Sequence, residues 1–126
     1  MKKELEPGIL HQEQKEVTYE DTAAKYGSGM VEVFATPAMI ALMENTALKT
    51  VLPYLADNLN TVGFELNVRH LKPTPVGVVV HCKAVLKEID GKKLVFDLEA
   101  WDDAGTIGKG THTRYIIDTE KFMNQF

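Results

Sequence analysis

A single cysteine, Cys82, stands among 126 residues, so no internal disulfide can form, which fits a reducing compartment. No apolar stretch approaches the ~18 residues that a membrane-spanning helix requires. Behind the opening Met1-Lys2-Lys3-Glu4-Leu5-Glu6-Pro7 there is no apolar segment, and a secretory signal is not expected. Positive charge is also short. Fourteen basic against eighteen acidic residues leave a formal net charge of -4, which argues against general nucleic-acid binding but leaves room for a local basic patch. No Gly-x-Ser-x-Gly elbow is present, and His11, His70, His81 and His112 are too far apart to recommend a metal site. What remains is expected to be a cytoplasmic globular domain, one unit over residues 1–126, with residues 1–13 read as a flexible arm.

The chain then shows a regular order of signals. Gln-Lys-Glu-Val-Thr-Tyr-Glu from Gln14 is short and β-prone, which predicts a strand over Lys15 to Asp21. Tyr26-Gly27-Ser28-Gly29 interrupts the chain as a turn or loop. Thr36-Pro37 reads as a helix start, with Thr36 capping the first free N–H groups and Pro37 suiting the first turn. The helix should end near Val51, just before Pro53. Four strands follow, over Val62–Leu71, Val76–Ile89, Lys93–Trp101 and Ile107–Asp118. Ile89-Asp90-Gly91-Lys92 is a strong hairpin turn. Hairpin-length connections exclude a parallel Rossmann-type sheet, and one helix on such a meander is an α+β architecture. The helix is apolar nearly all round, through Ala38, Met39, Ile40, Ala41, Leu42, Met43, Ala47 and Leu48, and should be buried.

Three residues fit this plan poorly or suit chemistry. Glu44 has only apolar neighbours on its helix face: Pro37, Ile40, Ala41, Ala47, Leu48 and Val51. A carboxylate there either reaches a pocket or interface, or is held by a basic partner in a structural pair. His70 extends the even series Val62, Phe64, Leu66, Val68 and so turns inward. It is either a satisfied core histidine or an acid/base group that meets Glu44. Thr36 is accounted for by capping alone, although a hydroxyl beside free helix N–H groups can also orient a reacting group. In the last strand Gly108, Gly110, His112 and Arg114 share a face. Its glycines allow close approach, while His112 and Arg114 are either pocket residues or a polar strand end. Cys82 lies mid-strand among apolar residues and reads as packing.

The stretch Ala35-Thr36-Pro37-Ala38-Met39-Ile40-Ala41-Leu42-Met43-Glu44 comes first, then Thr61-Val62-Gly63-Phe64 and Val68-Arg69-His70-Leu71. Together they resemble the hotdog-fold acyl-CoA thioesterases, in their fluoroacetyl-CoA thioesterase-like branch. The resemblance runs from about Val17 to Ile117. It implies an antiparallel sheet wrapped around one central helix, and a homodimer or higher oligomer with active sites at the subunit interface. It further implies a catalytic triad of Thr36, Glu44 and His70, with Gly63, Phe64 and Arg114 binding substrate. The implied reaction is hydrolysis of an acyl-CoA, carrying a small acyl group, to free acid and CoA. No metal or other cofactor is implied; CoA enters as part of the substrate, and neither nucleic acid nor membrane is a partner. Glu44 then either attacks the thioester carbonyl or serves as base on water with His70. The pattern departs from the family at Tyr26-Gly27-Ser28-Gly29-Met30, where the fluoroacetate-specialised enzyme has lid phenylalanines, so fluorine selectivity is not implied. The rival reading is a non-catalytic acyl-CoA sensor on the same fold.

Overall fold

A computed structural model describes residues 4–126 of the chain. One antiparallel sheet is formed by β1 (Leu10–Glu16), β2 (Leu59–His70), β3 (Val79–Asp90), β4 (Lys93–Asp102) and β5 (Gly105–Asp118). The order across the sheet is β1-β3-β4-β5-β2, so β1 and β2 are its two edges. The expected turn after Asp90 is present, with Gly91 at φ 61° and Asp90 paired to Lys93. Against the inner face lies one long helix, α2 (Thr36–Val51); α1 (Ala23–Tyr26) and α3 (Thr119–Met123) are short. This is the α+β hotdog architecture.

The core follows from two periodicities meeting. Val80, Cys82, Ala84 and Leu86 of β3 and Leu94, Phe96, Leu98 and Ala100 of β4 face Met39, Met43, Ala47 and Val51 of α2. All are buried, and each large one contributes roughly 1.5–3 kcal/mol of burial. Gly108 on β5 has no side chain because a Cβ there would run into the Met39 sulfur and the Met43 methyl, so the glycine lets the helix close on the sheet.

Four expectations need correction. The first strand is Leu10–Glu16, not Lys15–Asp21, so residues 10–13 of the anticipated arm pair with β3, from Leu10 opposite Val85 to Glu13 opposite Cys82. Its half-buried His11, Glu13 and Lys15 are held by polar contacts rather than apolar burial: Glu13 to Lys49 at 2.8 Å and Lys15 to Asp21 at 3.1 Å. Second, Ala35, not Thr36, is the N-cap of α2, and Thr36 makes no capping bond. Third, α2 is not buried all round within one chain. Pro37 and Ala41 are exposed and Ile40, Glu44 and Leu48 half-buried, leaving one apolar face open around the carboxylate.

Fourth, Val62, Phe64, Leu66 and Val68 do not share a face. A β-bulge between Gly63 and Glu65 sets Gly63 opposite Arg114 and Glu65 opposite Thr113, with Phe64 as the extra residue. Thr61 and Gly63 face inward before the bulge, whereas Leu66, Val68 and His70 face inward after it. Phe64 is 70% exposed and packs edge-on against Tyr115 at 5.1 Å between ring centroids.

Candidate active site

The residues singled out in the sequence gather in two clusters rather than one. At the start of α2 the Thr36 hydroxyl, freed from capping, lies 2.7 Å from His70 Nδ1 at the end of β2. Both line a cavity of about 340 Å³ with Ser28, Phe34, Leu71 and Lys72. His70 Nε2 is buried and has no hydrogen-bond partner, alone in this among the side-chain atoms of the described residues. A buried orphan of this kind is rare in a folded protein and calls for a reason. Burial pushes the His70 pKa below the ordinary value, against a weaker pull from the Lys72 main chain, so the neutral imidazole is favoured. At the cavity rim the Lys72 ammonium stands 3.8 Å from Asp102, whose buried carboxylate also accepts from Thr74 Oγ1 at 2.9 Å and the Ala104 N–H at 2.8 Å.

The second cluster surrounds Glu44, two turns further along α2. Its Oε2 is 3.8 Å from Arg114 Nη1 and directly over Gly63, where a Cβ would come within 2.7 Å of it. Arg114 is buried, and every nitrogen of its guanidinium has a partner. Nε donates to Thr61 Oγ1 at 2.8 Å, Nη2 to the Thr61 carbonyl at 2.9 Å, and Nη1 to His112 Nε2 at 3.1 Å. Burial lowers the Arg114 pKa and the Glu44 charge opposes this, which leaves a firmly cationic group. Arg114 and His112 are thus buried beside Glu44 rather than forming a solvent-facing polar strand end.

Eight residues of helix separate Thr36 from Glu44, a rise of ~12 Å. His70 therefore meets Thr36 but not the Glu44 of its own chain. Phe64 stands on the opposite side of β2 from Gly63 and does not line the Glu44 cluster. Among the described residues no group of three metal-ligating side chains occurs, and no helix is long and apolar enough to cross a membrane.

The profile of the fluoroacetyl-CoA-specific thioesterase family matches residues 17–120, most of the chain. The chain belongs to that family. A fluoroacetyl-CoA thioesterase of Streptantibioticus cattleyicolor is 38% identical over 91 residues, 72% of this chain and 66% of the relative, just under two thirds of its length. A crystal structure of a point mutant of the fluoroacetyl-CoA-specific thioesterase FlK superposes with a TM-score of 0.92 at 31% identity, covering 98% of this chain and 96% of that one. The same relative bound to fluoroacetate and CoA gives 0.88 at 31% identity over 94% and 99% of the two chains. A thioesterase superfamily member from Thermus thermophilus gives 0.88 at 28% identity over 96% and 90%. This member of the fluoroacetyl-CoA-specific thioesterase family therefore has the hotdog fold of its solved relatives.

Several members of the site carry no mark in the sequence. Thr61 holds two of the three guanidinium contacts yet looks like any strand threonine. Ser28 reaches the cavity from a loop that shows only its glycines, and Asp102 becomes Lys72's partner through a turn thirty residues away. The one signal near Thr61 is its place in the Thr61-Val62-Gly63-Phe64 stretch that carries the resemblance.

Proposed function

We propose that the protein hydrolyses a small acyl-CoA thioester to free acid and CoA, using Thr36, Glu44 and His70 at sites shared between two subunits of a homodimer. The observation that carries this reading is the division of the site. The Thr36–His70 pair, with its orphan Nε2, and the Glu44–Arg114 pair lie ~12 Å apart along α2, beside an open apolar helix face and the free edge of β2. An exposed strand edge and an uncovered apolar face both call for a second copy. If β2 pairs antiparallel with the same strand of that copy, centred midway between Gly63 and His70, the partner subunit's His70 lies opposite Gly63. It then stands beside Glu44, and each of the two sites is complete.

In such a site Glu44 acts on the thioester carbonyl, directly or through water. The partner subunit's Thr36 and the free N–H groups at its helix start hold the developing negative charge. The neutral partner His70 takes or gives the proton through Nε2. Gly63 leaves room for a small acyl group over the carboxylate. Lys72 at the cavity rim suits the phosphates of CoA, which enters as part of the substrate, with no other cofactor. A cytoplasmic setting fits the free thiol of Cys82.

Two measurements test this. A panel of acyl-CoAs should release free thiol, fastest for short acyl groups; binding without release points to a sensor instead. Mixing inactive Glu44→Gln and His70→Asn chains should restore about one-quarter of the wild-type rate, because half of randomly re-paired dimers hold one intact site of two. No recovery from properly exchanged dimers refutes the shared site.

A further inference from the structure

We infer that His112 is a positioning residue that acts through Arg114: a neutral imidazole, locked in one tautomer, that aims the guanidinium at Glu44. The inference rests on the proposed function only for its kinetic consequence. The geometry itself stands on the folded chain.

His112 is 1% exposed, and two partners fix where its proton sits. Nδ1 is 2.8 Å from the Glu65 carbonyl, which can only accept, so Nδ1 carries the hydrogen. Nε2 is 3.1 Å from Arg114 Nη1, which can only donate, so Nε2 presents its lone pair. The Phe96 ring lies alongside, at 6.2 Å between centroids, and limits the rotation of the imidazole. Nη1 is also the nitrogen that faces Glu44 Oε2 at 3.8 Å. It has two hydrogens. His112 takes one, which leaves the other directed toward the carboxylate, while Thr61 occupies the remaining two nitrogens.

The charged groups around His112 are few. Arg114 faces it from β5 and Glu44 from α2. On the other packed elements β2 contributes the Glu65 carbonyl and Gly63, and β4 the apolar Phe96. Burial, with the guanidinium's repulsion, lowers the His112 pKa, although the Glu65 carbonyl and Glu44 pull the other way. A protonated ring would set a second cation 3.1 Å from Nη1 and remove its acceptor. The bulge at Phe64 disrupts the β2–β5 ladder next to Glu65, the site of the carbonyl that His112 uses.

The test compares His112→Leu with His112→Gln, whose amide supplies both an acceptor for Arg114 and a donor for Glu65. For acyl-CoA hydrolysis, His112→Leu should lower kcat on the order of 10-fold or more with KM nearly unchanged, since a group acting on Glu44 is displaced. His112→Gln should recover most of the loss. Nitrogen NMR of the wild-type imidazole should show the neutral Nδ1–H tautomer across the neutral range. The Arg114 Nη1 hydrogens should be protected from exchange in wild type and His112→Gln but not in His112→Leu. If the protein hydrolyses no thioester, the NMR arms still decide the positioning, so the two readings fail separately. If His112→Leu does not fold, wild type and His112→Gln carry the test. A charged imidazole, an Nε2–H tautomer, or a folded His112→Leu with unchanged kcat overturns the inference.

Discussion

Replacing Gly63 by alanine adds one methyl group at the most crowded point of the site. The added Cβ lies 2.7 Å from Glu44 Oε2, against an ordinary carbon–oxygen contact of about 3.4 Å. Glu44 is half-buried at the end of a flexible side chain, so the carboxylate yields rather than the strand, moving by roughly 0.7 Å. A displacement near 1 Å at a reacting group can lower a rate on the order of 100-fold, so Gly63→Ala should reduce kcat by about 10- to 100-fold. Stability should not fall. Gly63 has no positive φ, and alanine restricts the unfolded chain, worth about 0.4–1 kcal/mol in favour of folding. Valine is harsher, because its γ-carbons extend toward His112 and Arg114, which lie 3.4 and 3.6 Å from the Cβ position. The assay is thermal unfolding and single-turnover hydrolysis on the same preparation, for both variants and for Glu44→Gln. Because the effect passes through the carboxylate, Gly63→Ala should add little in the Glu44→Gln background. A Gly63→Ala enzyme with wild-type kcat, or one less stable by more than about 2 kcal/mol, refutes the reasoning.

Thr36→Val removes the hydroxyl that holds His70 Nδ1 but not a helix cap, so hydrolysis should drop by about 100-fold while the melting temperature changes little. Loss of ~1 kcal/mol or more, as for a lost N-cap, contradicts this. Acidification should destabilise the fold in two stages. His70 and His112 are lowered by burial, so their contribution is full above about pH 6.5 and is lost as pH falls through their folded values. Asp102 is lowered too: burial opposes it, but the Ala104 N–H, Thr74 and Lys72 prevail, and its share is lost only below about pH 4. Denaturant melts from pH 8 to 3 should show both steps; a flat profile between pH 7 and 5 counts against neutral, buried histidines. Burial raises the Cys82 thiol to about 11, so thiol reagents should label it only as fast as the protein unfolds. Rapid labelling of native protein contradicts its place in the core.

The core was legible because its signals are redundant. Val80 to Leu86 and Leu94 to Ala100 alternate without interruption, and Asp90-Gly91 fixes the turn between them. β1 carries no apolar alternation because its inward positions are His11, Glu13 and Lys15: Glu13 pairs with Lys49 and His11, and Lys15 with Asp21, contacts that no periodicity announces. Glu44 stood out as a charge on an apolar face, and that face proved open, which is why the carboxylate is tolerated there. His70 faces inward with Leu66 and Val68, though not with Phe64, and the Glu44 that the residue reading offers as its partner lies ~12 Å along the helix from Thr36, the neighbour it meets. Phe64 was misplaced for one reason only, an extra residue in the strand.

That extra residue makes β2 a strand of two parities. Odd positions face the helix at the Glu44 end and even positions at the His70 end, with the change of phase at Phe64. Removing Phe64 would leave Gly63 opposite Arg114 and Glu65 opposite Thr113 in a regular ladder, with Gly63 and His70 both still inward. Straightening the full-length strand instead would turn one half over, so that either Gly63 leaves the carboxylate or His70 leaves Thr36. The bulge already absorbs residue 64, so neither its aromatic side chain nor its presence decides which way Gly63 and His70 face. Deleting Phe64 should therefore leave both half-sites facing the helix, whereas deleting one residue between Glu65 and His70 with the bulge retained should turn His70 away from Thr36.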